Sequence, residues 1–94
     1  MSGVYINGFG SEGTGTGQFK HPRGITTDSE GFILVADSGN NRIQVFRGND
    51  YAYITSFGGM GTDSGKFRGI EGITCNNNGD VVIADKENHR IQIM

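Results

Sequence analysis

The strongest constraint on this chain is that it repeats itself. Shifted by 48 positions, residues 5–46 overlie residues 53–94 without a gap, and 18 of the 42 aligned pairs are identical. The shared residues include Tyr5/Tyr53, Phe9/Phe57, Phe19/Phe67, Ile25/Ile73, Asp37/Asp85, Asn40/Asn88, Arg42/Arg90 and Gln44/Gln92. A period in the forties marks one supersecondary unit used again, so the fold must be assembled from two like modules. No stretch keeps the 3.6-residue apolar period that a helix of ten residues would need. Instead, short runs rich in β-branched and aromatic residues alternate with Gly, Asn and Asp, and 17 of the 94 residues are glycine. Such runs predict strands separated by turns.

The predicted strands are Val4–Phe9, Gly24–Thr27, Phe32–Ala36 and Arg42–Phe46, then Ala52–Phe57, Gly72–Cys75, Val81–Ala84 and Arg90–Met94. Ser29-Glu30-Gly31, Asn77-Asn78-Gly79 and Gly48-Asn49-Asp50 read as hairpin turns, and Gly10–Arg23 and Gly58–Glu71 as longer loops. A four-stranded antiparallel meander repeated every 40–50 residues is the blade of a β-propeller, an all-β fold. Gly15-Thr16-Gly17-Gln18-Phe19, His21-Pro22-Arg23-Gly24-Ile25 and the string from Val35 to Phe46 together resemble one NHL repeat, and Gly65-Lys66-Phe67 with Ile83 to Ile93 resembles a second. The pattern is similar to that of the NHL propellers of tripartite-motif and Brat-type proteins. It departs at two places, where Ile70 stands for Pro22 and Glu71 for Arg23.

Two blades leave two broad apolar faces uncovered, and a chain of 94 residues with a single cysteine, Cys75, has no disulfide to compensate. Self-association is therefore expected. Val4–Phe9 matches the outer strand Ala52–Phe57, and nothing follows Arg90–Met94 to serve as the outer strand of the second blade. Val4, Tyr5, Ile6 and Phe9 of one copy are thus expected to pair with the strand carrying Ile91 and Ile93 of another, in a head-to-tail contact that closes as a ring. The resemblance implies six blades, hence a homotrimer, with an eight-bladed tetramer as the alternative. The expected function is that of a non-catalytic, self-assembling scaffold, and the Met-Ser-Gly start directly before a strand reads as a trimmed or designed end.

Catalytic and cofactor readings find little support. Asp37 with Arg42 and Asp85 with Arg90 recur at the same offset, and an active site does not need a copy per module. They are expected to be structural, the acids binding local turn amides and the arginines bridging neighbouring elements. Gly13-Thr14-Gly15-Thr16-Gly17 lacks the Gly-Lys-[Ser/Thr] step and the helix of a phosphate loop. His21 and His89 have no metal-ligand spacing around them, so neither metal nor cofactor is expected. Cys75 is expected to be buried as a small apolar side chain. The longest aliphatic run, Val81–Ala84, is far too short to span a bilayer, and the absence of a signal peptide and of glycosylation sequons fits a reducing, cytoplasmic setting.

One asymmetry carries a different function. The net charge is −2, yet the face holding the long loops balances at +1 while the opposite face stands at −3. Lys20, His21, Arg23, Lys66, Arg68, Lys86 and His89 all fall in loops of the first face. Related NHL propellers bind RNA there, so the resemblance implies an RNA- or protein-binding platform as the alternative to the scaffold.

Overall fold

The computed structural model describes residues 3–94 and consists of strands and short turns. Two two-residue strands, β1 (Ser11–Glu12) and β2 (Gln18–Phe19), pair in parallel within the first long loop. Next comes a four-stranded antiparallel meander of β3 (Pro22–Thr27), β4 (Ile33–Asp37), β5 (Arg42–Phe46) and β6 (Tyr53–Gly58). A second meander holds three strands, β7 (Ile70–Cys75), β8 (Val81–Asp85) and β9 (Arg90–Ile93). Its pairings repeat those of the first at the same offset: Ile25 lies opposite Val35 and Ile73 opposite Ile83, and each first strand carries a bulge at its start. These are blades of a β-propeller, one with four strands and one with three rather than two with four.

Local chemistry explains the turns. Asp28 Oδ1 accepts the amides of Glu30 and Phe32, Asn76 Oδ1 accepts those of Asn78 and Asp80, and Gly31 and Gly79 take φ of +89° and +84°. Each hairpin is therefore locked by one Asx side chain and a glycine in the left-handed region. Between the second and third strands of each blade the backbone winds into a single 3-10 turn, Ser38–Asn40 and Lys86–Asn88, a detail that strand periodicity does not encode.

The core lies between the two sheets. Leu34, Ala36 and Ile43 on one face of the first blade cluster with Phe67, Ile70 and Ile83 of the second, flanked by Val45, Phe57, Ile73 and Val81. Cross-strand partners share a sheet face, which is why Ala36 and its partner Ile43 enter the core together. The innermost strands β3 and β7 approach closely: a Cβ on Gly24 would sit 3.3 Å from Ile73 Cγ2. Burying each large aliphatic or aromatic side chain contributes about 1.5–3 kcal/mol, so this seam is the main source of cohesion between blades.

One expectation finds no counterpart within the chain and one is corrected. Val4–Phe9 lies outside every sheet of the described residues, with Val4, Tyr5 and Ile6 exposed at 74, 80 and 87%. Its repeat equivalent, β6, is held by β5 of the blade before it, and no blade precedes β3 among the described residues, so the segment has no edge to join. Cys75 is half-buried at the end of β7 rather than fully buried. Among the described residues no helix is long and apolar enough to cross a membrane.

Candidate functional site

Each blade is organised around one buried carboxylate. Asp37 Oδ1 accepts the Lys20 amide at 2.7 Å, and Oδ2 accepts Asn40 Nδ2, Arg42 Nε and Gln44 Nε2 at 3.0, 2.8 and 3.2 Å. Asp85 is bound in the same way by the Arg68 amide at 2.7 Å and by Asn88, Arg90 and Gln92 at 2.9, 2.9 and 3.3 Å. Both acids are completely shielded from solvent. For Asp85, burial pushes the pKa up, but the Arg68 amide and the Asn88, Arg90 and Gln92 side chains outweigh it and hold the carboxyl below its ordinary value.

The sequence reading places the acids on amides of their own turn, and here the structure differs. The acids do not bind amides of their own turn; they reach 17 residues back to the loop before β3 or β7. The asparagines act as donors, Asn40 to the Gly13 carbonyl and Asn88 to that of Gly61. Arg42 and Arg90 fasten the same loops by donating to the carbonyls of Gly15 and Gln18, and of Thr62, Asp63 and Lys66. Gln44 and Gln92 complete the network, accepting the Gly17 and Gly65 amides and donating to Gln18 and Lys66 carbonyls. Sequence reasoning missed the two glutamines, although an identical polar residue between two aliphatic ones in both repeats was the available signal.

These hubs fix a surface. Because the amides of Lys20 and Arg68 are bound to the buried acids, each blade presents one exposed cation at an equivalent place on the same rim. Lys66 is also exposed there, its Nζ donating to the Gly58 carbonyl. His21 and His89 occupy left-handed backbone positions, with φ of +48° and +53°, where the repeat equivalents are Gly69 and Asn41. Across the seam, His21, Arg23 and Lys86 share a shallow hollow with Glu71 and Glu87. Glu71 pairs with Arg23 at 2.7 Å and approaches Lys86 Nζ at 3.9 Å. Of the seven basic residues singled out in the sequence, this hollow brings together His21, Arg23 and Lys86; Arg23 sits in β3 rather than in a loop, and it and Lys86 are partly neutralised. Among the described residues Lys20, Lys66 and Arg68 make no ion pair. No group of three His, Cys, Asp or Glu among the described residues is arranged to hold a metal ion.

Comparison with known sequences identifies the module. The NHL repeat profile matches residues 19–46 and 67–94, more than half of the chain. The chain belongs to the NHL-repeat family. It is similar to the E3 ubiquitin-protein ligase TRIM71 of Mus musculus, 62% identical over 39 residues that make up 42% of this chain and 5% of that protein. Protein lin-41 of Caenorhabditis elegans is 50% identical over 38 residues, 40% of this chain and 3% of lin-41. NHL repeat-containing protein 3 of Homo sapiens is 54% identical over 37 residues, 39% of this chain and 11% of that protein. The NHL blades described here therefore correspond to a small part of each curated relative.

Proposed function

We propose that this pair of NHL blades is part of a recognition platform that binds RNA through its loop-bearing rim, and that its role is binding rather than catalysis. The ligase activity in the name of TRIM71 belongs to that whole protein, of which this chain covers 5%. The observation that carries the reading is the presentation of Lys20 and Arg68 at equivalent positions by buried Asp37 and Asp85. A hub that spends its carboxylate on the amide of an exposed basic residue sets cations at a regular spacing along the rim, which suits the regular charge of a phosphate backbone. The resemblance adds that related propellers bind RNA on this face and have six blades, a ring that three such chains would complete.

The test is fluorescence anisotropy with labelled single-stranded and hairpin RNAs at low ionic strength. Binding should weaken linearly in log–log form with salt, with a slope near −0.7 to −0.9 per phosphate contact. Replacing Lys20, Lys66 and Arg68 together by alanine should abolish most of it, whereas replacing Arg23 should do little while Glu71 holds it. Absence of salt-sensitive binding, or a triple variant that binds normally, would exclude RNA and leave a protein ligand as the reading of the platform.

A further inference from the structure

Proteins that hold single-stranded RNA combine cations for the phosphates with apolar or aromatic side chains against which unstacked bases lie. The loop-bearing rim supplies the cations, and it also holds one apolar side chain. Large apolar residues open to solvent otherwise lie in residues 4–9, in β3, β6 and β9, or at Met94. Met60, 73% exposed, stands instead in the long loop before β7, the loop that carries Lys66 and Arg68.

The backbone around Met60 is tied down on both sides. Phe67, fully buried in the inner core, donates its amide to the Gly59 carbonyl at 2.8 Å and accepts the Gly61 amide on its own carbonyl at 3.2 Å. Met60 lies opposite it in a parallel bridge. The core therefore fixes where this loop runs without using the methionine side chain for packing. Gly59 and Gly61 leave room for the stem of Lys66: a Cβ on Gly61 would lie 3.2 Å from Lys66 Cβ, and one on Gly59 would lie 3.3 Å from its Nζ. Met60 is thus the one side chain on the strip from Gly58 to Gly61, with the Lys66 ammonium beside the residue before it. Arg68 follows Phe67, its amide held by Asp85.

The first blade uses the same construction to present a different group. Glu12 lies opposite Phe19, the Gly13 amide donates to the Phe19 carbonyl at 3.1 Å, and Glu12 is exposed. At the place of Lys66 the first blade has the neutral Gln18. One blade therefore offers a carboxylate beside an amide, which repels phosphate, and the other a thioether beside an ammonium. Both changes at the second blade run in the direction that a nucleotide requires.

We propose that Met60 is a base-contacting residue of the rim: an unstacked base of single-stranded RNA lies against its side chain while the adjoining phosphates meet Lys66 and Arg68. The inference rests on the RNA reading and adds to it the blade, and the chemistry, by which a base is met. Methionine suits the task, because an unbranched, polarizable thioether adapts to the face of any base. The contact is therefore apolar and tolerant of sequence, with no hydrogen-bond readout. Asp63 is the acid of the same loop and lies in the turn that the Lys66 amide closes on its carbonyl. The phosphates accordingly follow Lys66 and Arg68, on the strand side of the loop, and keep off its tip.

The experiment compares two labelled probes of equal length and charge by fluorescence anisotropy, a single-stranded RNA and the same ribose-phosphate chain without bases. The protein is the 94-residue chain and its variants Met60→Ala and Met60→Leu, each checked for its β spectrum. The Met60 side chain is exposed, so neither change disturbs the core. The parent should bind the base-bearing probe the more tightly. Met60→Ala should weaken that binding about fivefold or more with the salt slope unchanged, because no phosphate contact is lost. The same variant should bind the abasic probe as the parent does. Met60→Leu, an apolar side chain of similar volume, should bind RNA within about twofold of the parent. A Met60→Ala variant that binds RNA as the parent does, or that loses both probes equally, would overturn the base contact and leave the RNA reading standing, since salt-sensitive binding by the parent decides that separately. A parent that binds neither probe would overturn both together.

Discussion

Replacing Asp85 by asparagine tests whether the buried hub holds the blade. In the parent, Oδ2 faces three donors at once, Asn88, Arg90 and Gln92, while Oδ1 takes the Arg68 amide. An asparagine can turn its oxygen toward only one of these sets, and its amino group then meets donors with nothing to accept. Hydrogen bonds to charged groups contribute about 1.5–3 kcal/mol each, and breaking a buried ion pair from one side costs about 3–5 kcal/mol. Arg90 remains 30% exposed and keeps its three carbonyl partners, so solvent and backbone absorb part of that cost. The expected loss is about 2–4 kcal/mol, against a total of ~5–15 kcal/mol for a folded domain. Urea denaturation at pH 7 and fixed protein concentration reads it directly, and thermal melting should fall by ~10 °C or more. The acid side gives an independent check. Because the folded pKa of Asp85 lies below its unfolded value, its stabilisation is complete above the ordinary aspartate pKa of about 3.9 and is lost as pH falls through the folded value. Asp85→Asn should therefore remove that part of the acid-induced loss of stability. A variant within ~0.5 kcal/mol of the parent, with an unchanged acid slope, would refute the hub as the anchor of its loop.

Other expectations follow from single contacts. Gly58→Ala should cost well over ~1 kcal/mol in urea, because φ is +122° and the added Cβ would lie 2.9 Å from both the Asn41 carbonyl oxygen and the Phe67 ring. Ile83→Ala, at the centre of the inner seam, should cost about 2–5 kcal/mol by the same measurement. Glu71→Ala should leave stability within ~1 kcal/mol, since the ion pair with Arg23 is half exposed, yet strengthen RNA binding in anisotropy by releasing Arg23 and Lys86.

Much of this fold was legible because blades are built from short apolar, β-branched-rich runs and Asx-Gly turns, both visible in residues such as Ile33–Ala36 and Asn76–Gly79. What escaped reading was non-local. Nothing near Asp37 in sequence shows that its carboxylate reaches the Lys20 amide, since that contact exists only once the long loop folds back over the 3-10 turn. Val4–Phe9 illustrates the converse. Its residues suit a strand, but a strand also needs an edge, and within the described chain none is offered on that side of the first blade. Glu71 stood out as a departure from the repeat, and the structure supplies the reason by placing it against Arg23.

Identity and departure between the two repeats divide the work of the molecule. Positions that match, such as Asp37/Asp85, Arg42/Arg90 and Gln44/Gln92, build the inside of each blade, where both copies face the same problem of tying a glycine-rich loop to a sheet. Positions that differ lie where the two blades face different surroundings. Arg23 against Glu71 creates an attraction that two identical residues could not, and Ser38 and Asn41 bond across the inner seam where Lys86 and His89 face outward. A chain of identical blades would have no preferred register between modules. At the inner seam the opposite signs make the second blade the better neighbour for the first, so the two repeats are matched to each other as well as to their shared pattern.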